Sequence, residues 1–283
     1  MSRVLSLPQA VMDYRLIQAM NEIRGNYNDV VDVISKAKSL NKFGTNTTVG
    51  TDYETVAQFQ GAVGNETFVS TNLIDSVVST SGSDTQTIRI EGHTIDGSGN
   101  LTFAGQDVTL TGTTEATLST PLARCNRMFI KASGTFNSPQ AAAVGTISAY
   151  DNTDGVASGV PNTAAATKCI IAPTFVQSEK CATSISATDY WLVTDVEVGI
   201  GDAGGSANRV TFRIEARDIV NGGVWRPFGR NIVVNIGQNG VAFRFEPLAI
   251  VPKNHDVRVV AKSNTSTAEV FAEIQGYLAQ VIG

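Results

Sequence analysis

The sequence predicts a mostly β protein: an antiparallel β-sandwich or jelly-roll-like body with a short N-terminal helical segment. Three observations carry that expectation. Between Asn208 and Ser263 apolar and polar residues alternate. Val210, Phe212, Ile214 and Ala216 interleave with Thr211, Arg213, Glu215 and Arg217, and Val241, Phe243 and Phe245 with Ala242, Arg244 and Glu246. Val257, Val259 and Ala261 repeat the pattern. A period of two places one set of side chains on a buried sheet face and the other on a wet one. Secondly, about a dozen strand-like runs follow one another through turns, with no helix between them, which excludes parallel crossovers. Thirdly, charged residues make up only 17% of the 283, and Thr, Ser, Asn and Gly fill the difference. That balance suits a β-rich protein with a neutral polar surface.

The elements justify themselves in chain order. Residues 8–41 hold the only helical spacing. Val11, Tyr14, Ile17, Met20 and Ile23 recur every three residues, Gly25-Asn26 breaks the run, and Val30, Ile34, Ala37 and Leu40 resume it. Pro8 suits a first helical turn, and Lys36 and Lys38 suit the last. Helices this short need an apolar partner, either their own sheet or a neighbouring subunit.

Residues 42–75 carry many turn formers and little periodicity, and read as an extended anchoring segment or linker. Phe43, Val56, Phe59 and Phe68 are its candidate particle-anchoring side chains. The β body is expected over 76–283, divisible into two sub-units near 151–188. Ile88 and Ile90 alternate with Arg89 and Glu91, and Asp96-Gly97-Ser98-Gly99-Asn100 turns the chain into the next strand. Shorter candidates lie at 108–113, 116–119, 128–132 and 145–150. Tyr190–Ile200 is a clear strand. The last run, 268–281, is apolar on both faces, as in a central strand or one sealed by a subunit interface.

Several chemistries lose ground on the same residues. A net charge of -5 argues against a nucleic-acid backbone as partner. No apolar run approaches the length of a membrane span, and Met1–Ala10 has no apolar core, so neither a membrane nor a signal peptide is expected. Cys125, Cys169 and Cys181 are odd in number and read as small buried thiols, with a Cys169–Cys181 disulfide as the alternative. Gly199-Ile200-Gly201-Asp202-Ala203-Gly204 matches G-x-G-x-x-G, but a strand follows instead of the required helix, so a hairpin turn is expected. His93 and His255 lack companion ligands, and Asp151–Gly155 lacks the oxygen ligands of a calcium loop. No cofactor or metal is therefore expected. The paired carboxylates of a glycosidase would have to come from residues such as Asp195, Glu197, Glu215 and Asp218, of which Asp195 and Glu197 share a strand face as solvated residues also do, and no G-x-S-x-G elbow is present. Trp191, Trp225 and Tyr150 are candidate receptor contacts for glycans, with core packing as the alternative for the tryptophans.

Four segments carry a resemblance. Asn41–Thr47, Thr85–Gly92, Arg124–Ile130 and Gly145-Thr146-Ile147 together look like a widespread group of tailed-bacteriophage virion proteins. In that group a lysine-phenylalanine-glycine-arginine-asparagine-like segment precedes a β-rich body. Thr45 stands where that pattern has arginine, so no fixed charged contact is expected at this position. The resemblance spans roughly residues 41–283. It implies a structural component without enzymatic activity: a capsid-decorating cement or head-fibre subunit, or a tail fibre, adaptor or receptor-binding protein. It also implies a homo-oligomer, often a trimer. The implied partners are other virion proteins such as the major capsid or tail proteins, and the implied location is the virion, after synthesis in the host bacterial cytoplasm.

Overall fold

The structure is a computed structural model that describes residues 37–58, 68–131, 142–203, 209–238 and 240–280. The expected helices over 8–36, Phe59 and the small-residue tract up to 141 lie outside the described residues.

The chain opens with β1 (Lys38–Ser39), β2 (Lys42–Val49) and β3 (Glu54–Thr55). Next come β4 (Ile74–Ser79), β5 (Thr87–Ile95), β6 (Leu101–Thr109), β7 (Ala116–Leu122), β8 (Arg124–Ile130) and β9 (Ile147–Asp151). A small ribbon, β10 (Val156–Ala157) and β11 (Val160–Pro161), leads to β12 (Thr167–Ile171). The remainder is β13 (Ala182–Ser184), β14 (Asp189–Ala203), β15 (Arg209–Asp218), β16 (Arg226–Pro227), β17 (Ile232–Asn235), β18 (Val241–Val251), β19 (His255–Ser263) and β20 (Ala268–Gln280). All the strand pairings are antiparallel.

Four sheets build two sandwiches. Sheet I runs β1–β20–β14–β18, with β2 also on β20. Sheet II runs β13–β19–β15–β16, with β17 on β15 and β3 on β19. Their inner faces share one core: Trp191, Val196, Val270 and Ile274 from sheet I meet Phe212, Ile214, Val257 and Val259 from sheet II. Sheet III (β12–β9–β4–β7) and sheet IV (β6–β5–β8) enclose a second core of Val77, Leu118, Ile147 and Ile171 against Ile88, Ile90, Met128 and Ile130. Residues 74–171 thus form a central sandwich, inserted between β3 and β13 of a sandwich built from both ends of the described chain.

Several expectations change. Lys42–Val49, expected without regular structure, is an eight-residue strand paired with β20. Its alternating residues Lys42, Gly44 and Asn46 are buried, but none is hydrophobic, so hydrophobic periodicity missed them. Lys38 belongs to a strand and not to a helix end, because Lys38 and Ser39 pair with Leu278 and Tyr277. The glycine motif is not a hairpin turn: β14 continues to Ala203, and β14 and β15 lie in different sheets. Gly199 is needed there because the Phe271 ring from β20 lies across it, with Cζ 2.2 Å from where a Cβ would stand. The doubly apolar β20 is central in sheet I, flanked by β14 and by β1 and β2. Its Val270, Ala272 and Ile274 face the core, while Tyr277 on the other face is 49% exposed.

Candidate functional site

The two sandwiches meet in a buried polar seam, and Lys42 and Arg124 of the resemblance segments are buried there. Arg124, at the start of β8, is buried. Its Nε and Nη2 donate to Asp256 Oδ1 and Oδ2 at 2.8 and 3.0 Å. Its Nη1 donates to the carbonyls of Ala123 and Val69. Asp256, on β19, is fully buried and also accepts from Arg217 Nε at 2.9 Å and from the Ser184 hydroxyl. A planar fork on a carboxylate is the geometry in which guanidinium pairing is strongest. This fork ties β8 of the central sandwich to β19 of the other. Asn254 adds a second tie: its Oδ1 accepts from the Leu101 amide at 2.9 Å, and its Nδ2 donates to Asn100 Oδ1 at 3.0 Å.

Behind the clamp lie lysines and thiols. Lys42 Nζ donates to the Asn126 carbonyl. Lys180 Nζ donates to the carbonyls of Cys125 and Lys168 at 2.7 and 3.0 Å. Burial, followed by the Lys180 charge, brings the Lys42 ammonium down to about 8. The Cys125 hydrogen bond, followed by the Lys180 charge, Ser178 and Lys42, brings the Cys169 thiol down to about 6 against the opposing effect of burial. Cys181 is pushed up to about 12, chiefly by burial, against the lowering effect of the Lys42 charge. His93 is brought down to about 4, chiefly by burial, so the ring is neutral at pH 7. The three cysteines form no disulfide and all are buried. Among the described residues no group of three His, Cys, Asp or Glu side chains is placed to hold a metal ion.

Beside the seam, glycines allow close backbone approaches within each sandwich. A Cβ on Gly92 would stand 1.9 Å from the Arg124 carbonyl oxygen. One on Gly44 would stand 2.3 Å from the Val56 oxygen and 2.4 Å from the Cys181 nitrogen. The glycines of two resemblance segments are therefore backbone-contact positions.

On the surface beside the clamp, arginines and aromatic rings stack in a ladder. Arg124 and Arg217 lie 5.1 and 4.7 Å from the Phe68 ring centre. Arg217 and Arg258 lie 4.9 and 4.2 Å from Trp225, and Arg213 lies 4.0 Å from Tyr53. Glu215 is buried and pairs with Arg213 and with Arg258. The ladder borders a cleft of about 590 Å³ lined by Phe68, Asn72, Ile95, Asp96, Arg217 and Ile219 among others. Few of its polar groups face outward for a ligand. Asn72 spends both amide atoms on the Ile95 backbone, and Asp96 caps its own turn through Ser98 and Asn100. The ladder holds the 68–72 loop and Trp225 on sheet II.

The sequence candidates fall in different places. Phe43 is 37% exposed on the outer face of sheet I, whereas Val56 is fully buried in the chain's own core. Phe68 is half-buried in the ladder. Trp191 and Tyr150 are both at 0% exposure, so neither is placed to touch a receptor. The alternation that put Trp191 on a strand put it on the inner face, and Tyr150 is enclosed between β4 and β12. Trp225 is half-buried against its arginines. Glu215 and Arg217, expected on the wet face of the sheet, are instead internal ion-pair partners. Arg244 does reach solvent, paired with Asp195 at 3.1 Å. Asp256, Lys180 and Asn254 went unnoticed in the sequence. The one available signal was Arg124 standing in an otherwise strand-like apolar run, and nothing in one sequence names its partner.

The class that this arrangement defines is an all-antiparallel β protein of two sandwiches joined by an ionic seam. Comparison with known protein families finds no match, and comparison with curated proteins finds none. Among solved structures, infectious bursal disease virus of the Gx strain has 9% identity and a TM-score of 0.21, over 88% of this chain and 77% of that one. The Gt strain has 11% identity and a TM-score of 0.22, over 86% and 70%. A mutant VP2 protein of the same virus, in derived T=1 particles, has 10% identity and a TM-score of 0.20, over 87% and 73%. Scores this low carry no argument about shared function.

Proposed function

We propose that the chain is a structural component of a tailed-bacteriophage virion, decorating or stabilising the capsid as an oligomeric cement or head-fibre protein. It performs no catalysis in this role. The supporting observation is the meeting of the resemblance segments in space. Lys42 from the first donates to the Asn126 carbonyl of the third, and Gly92 from the second lies against the Arg124 backbone. The first and third segments, 84 residues apart at that contact, thus meet at one junction, which supports a scaffold role. The tail-fibre or glycan-receptor alternative loses two of its three contacts to burial, leaving only half-buried Trp225.

The test is location and rescue. Purified particles should contain the protein on the head, in symmetry-related copies visible as density. Particles made without it should take up purified protein saturably and regain resistance to heat. Absence from purified particles, or presence only on the tail, refutes the decoration role.

A further inference from the structure

Cys125 and Cys169 come from different sheets of the central sandwich and meet in its core. Cys125 lies on β8 of sheet IV and Cys169 on β12 of sheet III, and both side chains belong to the cluster buried between those sheets. β8 and β12 pack directly against each other. The Cys125 thiol is hydrogen-bonded to the Cys169 sulfur. Two side chains from the segment that follows β12 hold this approach. Lys180 Nζ donates to the carbonyls of Cys125 and Lys168, so one ammonium ties the backbone at one cysteine to the backbone beside the other. The Ser178 hydroxyl accepts from the Met128 amide of β8 at 3.0 Å and is hydrogen-bonded to the Cys169 sulfur.

We propose that Cys125 and Cys169 are a paired oxidation site, which hydrogen peroxide converts into a disulfide joining β8 to β12. The two thiols are unequal, as this reaction needs. Cys169 is held below the ordinary thiol range by the Cys125 hydrogen bond and, against burial, by the Lys180 charge, so its thiolate is the nucleophile. The thiolate attacks one peroxide oxygen, and the O–O bond breaks. The sulfur becomes a sulfenic acid, and the departing hydroxide takes up the proton that the thiol had released, giving water. The Cys125 sulfur then attacks the Cys169 sulfur, the S–O bond breaks, and the hydroxyl leaves with the Cys125 proton as a second water. The dithiol loses two electrons and two protons, and the peroxide gains them. Burial of both sulfurs favours this small uncharged oxidant over a bulky disulfide. Cys181 stays out of the reaction: its thiol donates to the Lys42 carbonyl, and burial keeps it protonated. The proposal does not depend on the virion reading, and its test uses the isolated chain.

The experiment treats the folded full chain with hydrogen peroxide at neutral pH, caps the remaining thiols with N-ethylmaleimide in denaturant, and measures the mass. One cap should be found in place of three, and an unreduced digest should contain the Cys125 peptide joined to the Cys169 peptide. A sample unfolded in urea before oxidation should instead favour Cys169–Cys181, the pair nearest in sequence, where loop closure costs least. Three caps on the folded chain, a cross-link through Cys181, or the same Cys125–Cys169 preference in urea each overturn the proposal. Independently, Cys125→Ser should abolish the cross-link and leave Cys169 as a sulfenic acid that dimedone traps. A folded variant without that adduct overturns the proposal as well, and mapping of the parent decides it if Cys125→Ser does not fold.

Discussion

Replacing Asp256 by Asn should separate the two sandwiches. The carboxylate is fully buried and receives both Arg124 and Arg217, together with Ser184. Asparagine keeps the volume but offers one acceptor oxygen and turns an NH2 toward guanidinium donors. Arg124, with 2% of its side chain exposed, then keeps its charge in the interior without an anion. Breaking one partner of a buried pair costs about 3–5 kcal/mol. Arg217 retains 18% exposure and solvent offsets part of its loss, so the Arg124 contribution dominates. At about 2–4 °C per kcal/mol for a chain near this size, the melting temperature should fall by about 6–20 °C. Because each sandwich has its own core, scanning calorimetry should resolve two transitions where the parent shows one. Arg124→Met combined with Asp256→Asn should lose less than Asp256→Asn alone, since no uncompensated Arg124 charge remains. A single transition within about 2 °C of the parent would refute the clamp as the link between the sandwiches.

Three further outcomes are expected. His93 titrates near 4 folded and near 6.5 unfolded, so the unfolded chain takes up the proton first. The His93 contribution should be complete above pH 6.5 and cost up to about 3 kcal/mol of stability as pH drops to 4, a slope that His93→Gln should flatten in urea titrations. Lys42 has the same sign in alkali: its folded value near 8 against 10.5 means that the unfolded chain holds the extra proton between them. Stability of the parent relative to Lys42→Met should therefore rise by up to about 3 kcal/mol from pH 8 to 10.5, measured as the difference between denaturation midpoints. Gly92→Ala forces a Cβ to within 1.9 Å of the Arg124 oxygen. It should cost at least the about 1–3 kcal/mol of overpacking, read as lost soluble yield and a lower urea midpoint, and a neutral result would disprove the close approach.

Alternation by itself determined most of the strands. Where a period of two is written in apolar residues, as in β15 and β19, the buried set Val210, Phe212 and Ile214 and its partners Val257, Val259 and Ala261 followed directly. A side chain's face is a local property of the strand, so one sequence suffices to read it. β2 escaped because its inward positions are Lys42, Gly44 and Asn46, which are buried by polar and backbone contacts. In β14 a register shift between Val193 and Asp195 moves the inward set from Trp191 and Val193 to Val196 and Val198, a change of phase the sequence does not announce. Only the tertiary structure decided that Gly199 lies under Phe271, that residues 74–171 form an insertion with its own core, and that Arg124 finds Asp256, 132 residues away. The physical reason is common to all three. Each is a pairing between distant segments, set by which sheets pack and at what spacing, and a period of two says which way a side chain points but not what it will meet.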